Sequence, residues 1–200
     1  VFTSSTVTAQ YLLDRFGKGA RLHVVGMSGL IDTLTEAGFE ITVGEEQPKD
    51  VVAAVVAGMD REINHEKVKI AMRLIRAGAA FIATNTDGSF PTPEGINPGT
   101  GMVIAMLQVT SEVDPIVIGK PETAIFETAL RRFDGKPENT LMVGDRLETD
   151  ILGAKKLGID TVAVLTGVTS TEQIKGHKIQ PDLVVDNISA LHELLKETYK

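Results

Sequence analysis

Two aspartates and a lysine directly follow predicted β-strands in the second half of the sequence. Lys120 follows the apolar run at residues 116–118, and Asp145 and Asp150 follow the run at residues 140–143. Ligands of parallel sheets bind at the carboxyl ends of the strands, so we expect these three side chains at one sheet edge. Mg²⁺ binds through one or two carboxylates plus phosphate, and a lysine neutralises a phosphoryl oxygen. These residue types therefore fit phosphate chemistry assisted by a divalent cation.

A structural interpretation of the same residues stays open at this point. Asp150 could cap the helix that follows it, and Lys120 could be a solvated loop charge. Thr166 and Gly167, which follow a predicted strand at residues 161–165, bring small residues to the same edge, where backbone can approach a ligand closely.

Short apolar runs alternate with segments of helical period along the whole chain. The continuous β-branched and alanine run at residues 51–57 is typical of a parallel strand covered on both faces. Such alternation indicates βαβ units and a parallel sheet. The pattern predicts strands at residues 22–25, 39–43, 51–57, 80–83, 116–118, 140–143, 161–165 and 183–185, and helices at 29–37, 65–76, 102–108, 122–133, 150–157 and 190–199. Pro121 is expected at the first position of the helix at 122–133.

Residues 84–98 interrupt this alternation with a segment rich in proline, glycine and polar residues. A connection of this length without regular structure is usually functional or disordered. The sequence therefore predicts an irregular functional loop here.

Two segments resemble known motifs of a large enzyme superfamily. They read Ile118-Gly119-Lys120-Pro121 and Met142-Val143-Gly144-Asp145-Arg146-Leu147-Glu148-Thr149-Asp150-Ile151. They resemble the third and fourth motifs of the haloacid dehalogenase (HAD) superfamily, and most closely its NagD-like, p-nitrophenyl-phosphatase type. Residues 24–26, 58–60, 81–87 and 91–95 resemble the α/β cap that these phosphatases insert into their core.

The resemblance implies an α/β fold class: a Rossmann-like HAD core, with a parallel sheet and helices on both faces, and an inserted α/β cap domain. It divides the chain into a remnant of the N-terminal core at residues 1–18, the cap at 19–109 and the C-terminal part of the core at 110–200.

The resemblance also implies a role for individual residues. Lys120 would hold the phosphate and the nucleophile together, and Asp145 would be the Mg²⁺ ligand. Asp150 would orient Lys120 or a metal-bound water. Asn85 and Asp87, within the loop at 84–101, would help to bind and select the substrate.

The activity that the resemblance implies is hydrolysis of small phosphorylated metabolites by a Mg²⁺-dependent phosphatase, through an aspartyl-phosphate intermediate. The family's nucleophile lies in an Asp-x-Asp motif, and no such motif occurs in these 200 residues. We therefore expect N-terminal βα units to be missing and this chain alone to be inactive. The alternative is a non-catalytic small-molecule-binding or regulatory protein on the same fold.

Composition narrows the class of partner. The chain has no cysteine, which excludes thiolate nucleophiles, thiolate metal sites and disulfides. Its net charge of −7 disfavours nucleic acid and anionic membranes as partners. No apolar run reaches the length of a membrane span and no signal peptide opens the chain, so a cytoplasmic address is expected. The expected partner is a small phosphorylated metabolite, and a homo-oligomer is left open.

Overall fold

The chain folds into two compact units, which divide between Gly119 and Lys120 in the computed structural model. The structure describes residues 2–198. Residue 1 of the predicted N-terminal remnant and residues 199–200 at the predicted end of the last helix lie outside this range. Each unit contains a parallel sheet, as the alternation of strands and helices predicted.

The first unit is an α/β domain around a five-stranded parallel sheet and also contains a separate two-stranded hairpin. Its helices are α1 (Ser4–Phe16), α2 (Ser28–Glu36), α3 (His65–Arg76) and α4 (Thr100–Ser111). Its strands are β1 (Arg21–Val25), β2 (Glu40–Val43), β3 (Ala54–Ala57), β4 (Ala80–Ala83), β5 (Ser89–Thr92), β6 (Gly95–Pro98) and β7 (Ile116–Val117). The order in the main sheet is β2-β1-β3-β4-β7, and β5 pairs with β6 in antiparallel register.

The central strands of this sheet are formed by apolar runs that were predicted to be strands from the sequence. All four residues of β3 are buried, and Val55 lies beside Phe81 of β4 in the parallel register. Val55 and Phe81 pack against apolar residues of α3 and α4 on one face of the sheet. Alternate strand residues point to the opposite face. The strand is shorter than predicted because it begins at Ala54, while Val51 is 92% exposed.

Two elements of the first unit differ from the sequence predictions. The segment predicted to be irregular contains the hairpin β5–β6, in which Pro91 lies beside Ile96. Proline is tolerated there because both strands of a two-stranded ribbon are edges. Helix α1 was not predicted; Thr3 caps it by accepting a hydrogen bond from the backbone N–H of Thr6.

The second unit is smaller and has a three-stranded parallel sheet in the order β10-β9-β8. Its elements are α5 (Ala124–Phe133), a 3₁₀ turn (Pro137–Asn139), β8 (Leu141–Gly144), a π-helical turn (Leu147–Ile151), α6 (Leu152–Lys155), β9 (Asp160–Val164), α7 (Thr171–Gly176), β10 (Leu183–Val185) and α8 (Ile188–Thr198). Along β9, Val162 packs with Leu191 of α8, whereas Ala163 packs with Ile174 of α7. Helices therefore cover both faces of this sheet, as predicted.

Helix α5 begins later than the sequence predicted. Its first residue is Ala124 and its N-cap is Thr123, so Pro121 does not occupy the first helical position. The helix predicted at residues 150–157 is also divided, since a π-helical turn through Ile151 precedes α6.

The division into two units falls ten residues beyond the predicted boundary between residues 109 and 110. Strand β7 pairs with β4, with Ile116 beside Ile82, so residues 110–119 belong to the first unit. Helix α1 also belongs to this unit and packs against α2. The sequence shows that a strand forms at β7 but does not show which sheet it joins. The assignment of the three stretches to cap and core stays a prediction.

In the described part of the chain, no helix is both long and apolar enough to cross a membrane.

His23, in the middle of β1, is fully buried. Its Nδ1 lies 3.1 Å from the hydroxyl of Thr42, which itself donates to the carbonyl of Leu22. The hydroxyl therefore accepts from Nδ1–H, which leaves Nε2 without a proton. Within the described residues Nε2 has no hydrogen-bond partner. Burial lowers the pKa of His23 from 6.5 to about 4.

This buried histidine should make folding depend on pH. Below pH 6.5 the unfolded chain binds a proton that the folded chain does not bind, so stability falls until about pH 4. The shift corresponds to about 3 kcal/mol. We expect His23→Leu to lose less stability than the wild type between these pH values in urea unfolding. The control is His65→Leu, at an exposed histidine, and identical pH profiles for His23→Leu and wild type would contradict the assignment.

Candidate functional site

The side chains of Lys120, Asp145 and Asp150 belong to one region of the second unit. Lys120 is its first residue, and Asp145 directly follows the last residue of β8. Asp150 lies in the π-helical turn that leads from β8 into α6. The structure therefore brings Lys120 to Asp150 near the carboxyl end of β8. The three residues do not all follow strands of one sheet, as the sequence predicted, because β7, the strand before Lys120, belongs to the sheet of the first unit.

Asp150 connects the lysine to the end of the strand. Its Oδ1 accepts a hydrogen bond of 2.6 Å from Nζ of Lys120. Its Oδ2 accepts from the backbone N–H groups of Asp145 at 3.2 Å and Arg146 at 3.1 Å. The Asp150 side chain is only 5% exposed, whereas that of Lys120 is 41% exposed. Asp150 thus holds the amino group of Lys120, whose side chain as a whole is partly exposed.

Two structural roles that the sequence left open do not match these contacts. Asp150 accepts from residues that precede it in the chain, so it does not act as the N-cap of α6, a position held by Ile151. Lys120 is bonded to a buried carboxylate and is not a free loop charge.

Asp145 is held in a different way from Asp150. Its Oδ2 accepts a 2.9 Å hydrogen bond from the backbone N–H of Val168, and its carbonyl oxygen accepts from Thr169 N–H at 3.2 Å. Its Oδ1 has no partner among the residues that the structure describes. One carboxylate oxygen is therefore fixed and the other remains available to a ligand.

The protein can supply only some of the ligands that Mg²⁺ would need at Asp145. No group of three or more His, Cys, Asp or Glu side chains able to hold a metal occurs within residues 2–198. Mg²⁺ does not require such a group, because it keeps several waters and binds through one or two carboxylates plus substrate phosphate. The available Oδ1 of Asp145 meets that requirement.

Asn85 and Asp87, the other predicted substrate-binding residues, belong to the first unit. Asn85 accepts from the Thr84 hydroxyl at 2.9 Å, and its Nδ2 donates to Oδ2 of Asp87 at 2.7 Å. The carbonyl of Asp87 accepts from the N–H of Gly101, at the start of α4. These contacts connect the loop that follows β4 to the start of α4.

A second group of charged residues in the first unit was not selected from the sequence. Asp60 is 4% exposed and accepts from Lys67 Nζ at 2.9 Å and from Glu62 N–H at 2.8 Å. It lines a cavity of about 480 Å³ together with residues that follow β1 and β2. The sequence could have pointed to Asp60 because this residue lies three residues after the buried strand β3.

The backbone donors to Asp145 were also absent from the sequence prediction. Val168 and Thr169 contribute main-chain N–H groups, which no side-chain pattern identifies. The feature of the sequence that pointed to this segment was the position of Thr166 and Gly167 directly after a predicted strand.

Comparisons with known proteins place this chain among phosphatase-like proteins. Residues 117–191 match the family model described as HAD-hydrolase-like. The chain is 39% identical over 189 residues to the 5'-nucleotidase YutF of Bacillus subtilis, covering 94% of this chain and 71% of that protein. It is 36% identical over 200 residues to an acid sugar phosphatase of Staphylococcus saprophyticus, covering 100% of this chain and 74% of that protein.

Solved structures show the same similarity in three dimensions. The p-nitrophenyl phosphatase from Archaeoglobus fulgidus superposes with a TM-score of 0.87 at 34% identity, covering 96% of this chain and 73% of that chain. The glycerol phosphate phosphatase from Mycobacterium tuberculosis in complex with magnesium superposes with a TM-score of 0.86 at 33% identity, covering 94% of this chain and 56% of that chain.

The fold and the site together define an α/β protein that carries a carboxylate–lysine cluster beside the carboxyl end of a parallel strand. The chain belongs to the haloacid dehalogenase superfamily and, within it, to the NagD-like group that contains the p-nitrophenyl phosphatases. The family resemblance expected from the sequence motifs is thus confirmed.

The bond between Lys120 and Asp150 should be measurable as a coupling energy. We expect a double-mutant cycle of Lys120→Met and Asp150→Asn, followed by urea unfolding, to give roughly 1 kcal/mol or more, because contacting residues couple by about 0.5–3 kcal/mol. Burial of Asp150 reduces solvent screening of this pair.

The control is the exposed pair Lys196 and Glu193 on α8, with side chains 53% and 68% exposed. The cycle of Lys196→Met and Glu193→Gln should give only a few tenths of a kcal/mol, as surface helix pairs do. A coupling for Lys120 and Asp150 no larger than this would contradict the structural assignment.

Proposed function

We propose that the protein is a Mg²⁺-dependent phosphatase that hydrolyses phosphoric monoesters of small metabolites. The observation that carries this proposal is the buried Asp150 carboxylate, which holds Lys120 while the neighbouring Asp145 keeps one oxygen available. The names of the similar proteins support it, since they include a 5'-nucleotidase and phosphatases of sugars and of p-nitrophenyl phosphate.

Lys120 supplies the positive charge that the substrate phosphate meets. Its side chain is partly exposed, and the direction of its amino group is set by the 2.6 Å bond to Asp150. A charge positioned in advance stabilises the phosphoryl group in the transition state without reorganising when the reaction occurs. Asp150 therefore acts through Lys120 rather than on the substrate.

Asp145 would hold the Mg²⁺ through its available Oδ1. The metal, when bound, supplies positive charge to the phosphoryl oxygens. A structure of a similar protein contains magnesium, which supports the choice of metal. The contact of Asp145 with Val168 keeps the carboxylate from rotating before substrate arrives.

The chemical step that we propose is transfer of the phosphoryl group to an aspartate outside these 200 residues. The attacking carboxylate oxygen forms a bond to phosphorus, the ester P–O bond breaks, and the alcohol leaves with a proton from an acid group. Water then attacks the acyl phosphate, releasing inorganic phosphate and restoring the carboxylate. We assign Asp145 to the metal and Asp150 to Lys120, no Asp-x-Asp motif occurs in these 200 residues, and the similar proteins are longer than this chain.

The loop at residues 84–101, with Asn85, Asp87 and the hairpin β5–β6, is proposed to select the substrate. The hairpin presents exposed residues, including Ile96. The cytoplasmic address stays a prediction, and oligomeric state is left open.

The activity of the full-length protein should depend on Asp145 and Lys120. With 4-nitrophenyl phosphate and Mg²⁺, we expect Asp145→Asn and Lys120→Ala each to lower kcat by about 10²–10³-fold, the usual cost of a lost preorganised charge. The controls are Asp186→Asn, at the exposed aspartate after β10, and Lys178→Ala, at an exposed lysine. Wild-type turnover of Asp145→Asn would refute the site.

The same assay separates the proposal from a binding or regulatory role. The 200-residue chain, with its mass confirmed, should show no turnover because it lacks the Asp-x-Asp motif in which the family's nucleophile lies. Turnover by this chain alone would overturn the location of the nucleophile, and no turnover by the full-length protein would favour a non-catalytic role.

The proposed role of the loop predicts a change in preference rather than a loss of activity. Asn85→Ala removes the bond to Asp87. We expect it to alter the ratio of kcat/KM between a nucleoside or sugar phosphate and 4-nitrophenyl phosphate. The control is Glu36→Gln at the exposed end of α2, outside this loop. An equal reduction for every ester would indicate a purely structural loop.

A further inference from the structure

Gly167, which follows β9, lies directly against the side chain of Asp145. A Cβ atom added to Gly167 would lie 2.0 Å from Oδ2 of Asp145 and 2.4 Å from its Cβ and Cγ. Nonbonded atoms do not approach so closely. The Gly167 backbone does not lie in the left-handed region where glycine is favoured, unlike that of Gly158 with φ of +71°. The position excludes a side chain because the carboxylate occupies the space.

The two residues after Gly167 bond to the same aspartate. Val168 N–H donates to Oδ2 of Asp145 at 2.9 Å, and Thr169 N–H donates to the carbonyl of Asp145 at 3.2 Å. The first bond is charge-assisted and sets the rotation of the carboxylate, and the second fixes the main chain beneath it. Residues 167–169 therefore hold both the side chain and the backbone of Asp145.

We infer that residues 167–169 are a positioning segment that directs Oδ1 of Asp145 toward a bound divalent cation. This inference rests on the proposed function, since it concerns the same metal site. Because Val168 N–H bonds to Oδ2, Oδ1 is the oxygen of Asp145 that is left without a partner among the described residues. Partners of this kind orient metal ligands, and their loss typically weakens metal binding about 10–100-fold.

The steric requirement at Gly167 gives the most direct test. In the full-length protein, Gly167→Ala must move either the segment or the carboxylate, so we expect the dissociation constant for Mg²⁺ in calorimetric titration to rise about 10–100-fold. The matched control is Gly176→Ala at the end of α7, where an added Cβ meets nothing within 4 Å. This control should bind Mg²⁺ as the wild type does.

Asp145→Asn, measured in the same titration, distinguishes an error in the metal assignment from an error in the positioning role of residues 167–169. If Asp145→Asn and Gly167→Ala both bind Mg²⁺ as tightly as wild type, the metal assignment in the proposed function is wrong. If Asp145→Asn weakens binding while Gly167→Ala does not, the metal assignment holds and the positioning role of residues 167–169 is refuted.

A measurement on the unaltered protein covers the case in which Gly167→Ala does not fold. The backbone amide resonance of Val168 should shift as Mg²⁺ is titrated, because its acceptor carboxylate changes its charge distribution on binding. The amide of Gly176 should not shift. A Val168 resonance that is unchanged at saturating Mg²⁺ would overturn the inference.

Discussion

The buried carboxylate of Asp150 joins parts of the second unit that are 30 residues apart in sequence. One oxygen binds Lys120, and the other binds the two N–H groups that follow β8. A buried carboxylate is costly unless it is paired and hydrogen-bonded, so these contacts must form together when the chain folds. The position of Lys120, the end of β8 and the π-helical turn are consequently set by one side chain.

Each of the two carboxylates in the site occupies space that a glycine leaves empty. A Cβ on Gly144 would lie 2.4 Å from that of Asp150, and a Cβ on Gly167 would lie 2.0 Å from Oδ2 of Asp145. Gly144 ends β8 and Gly167 follows β9, two neighbouring strands of one sheet. The sheet edge is therefore shaped for acidic side chains packed close to the backbone.

The sequence predicted the parts of this architecture that side-chain types determine. The buried strands β3 and β4 follow from continuous apolar runs. The contact of Lys120 with Asp150 agrees with the expectation that these residues lie close together, but β7, the strand before Lys120, belongs to the sheet of the first unit and not to that of β8. The hairpin β5–β6 was missed because its prolines read as breakers, although edge strands tolerate them. The donors to Asp145 were missed because main-chain N–H groups have no residue signature.

The assignments of Asp145 and Lys120 can be tested by a crystal structure of the full-length protein with Mn²⁺ and phosphate, in which the metal is located by anomalous scattering. We expect a metal at Oδ1 of Asp145, with Oδ2 still bonded to Val168 and Lys120 still bonded to Asp150 while its amino group contacts the phosphate. Metal bound at other residues, or a Lys120 that has left Asp150 to reach the anion, would contradict these assignments.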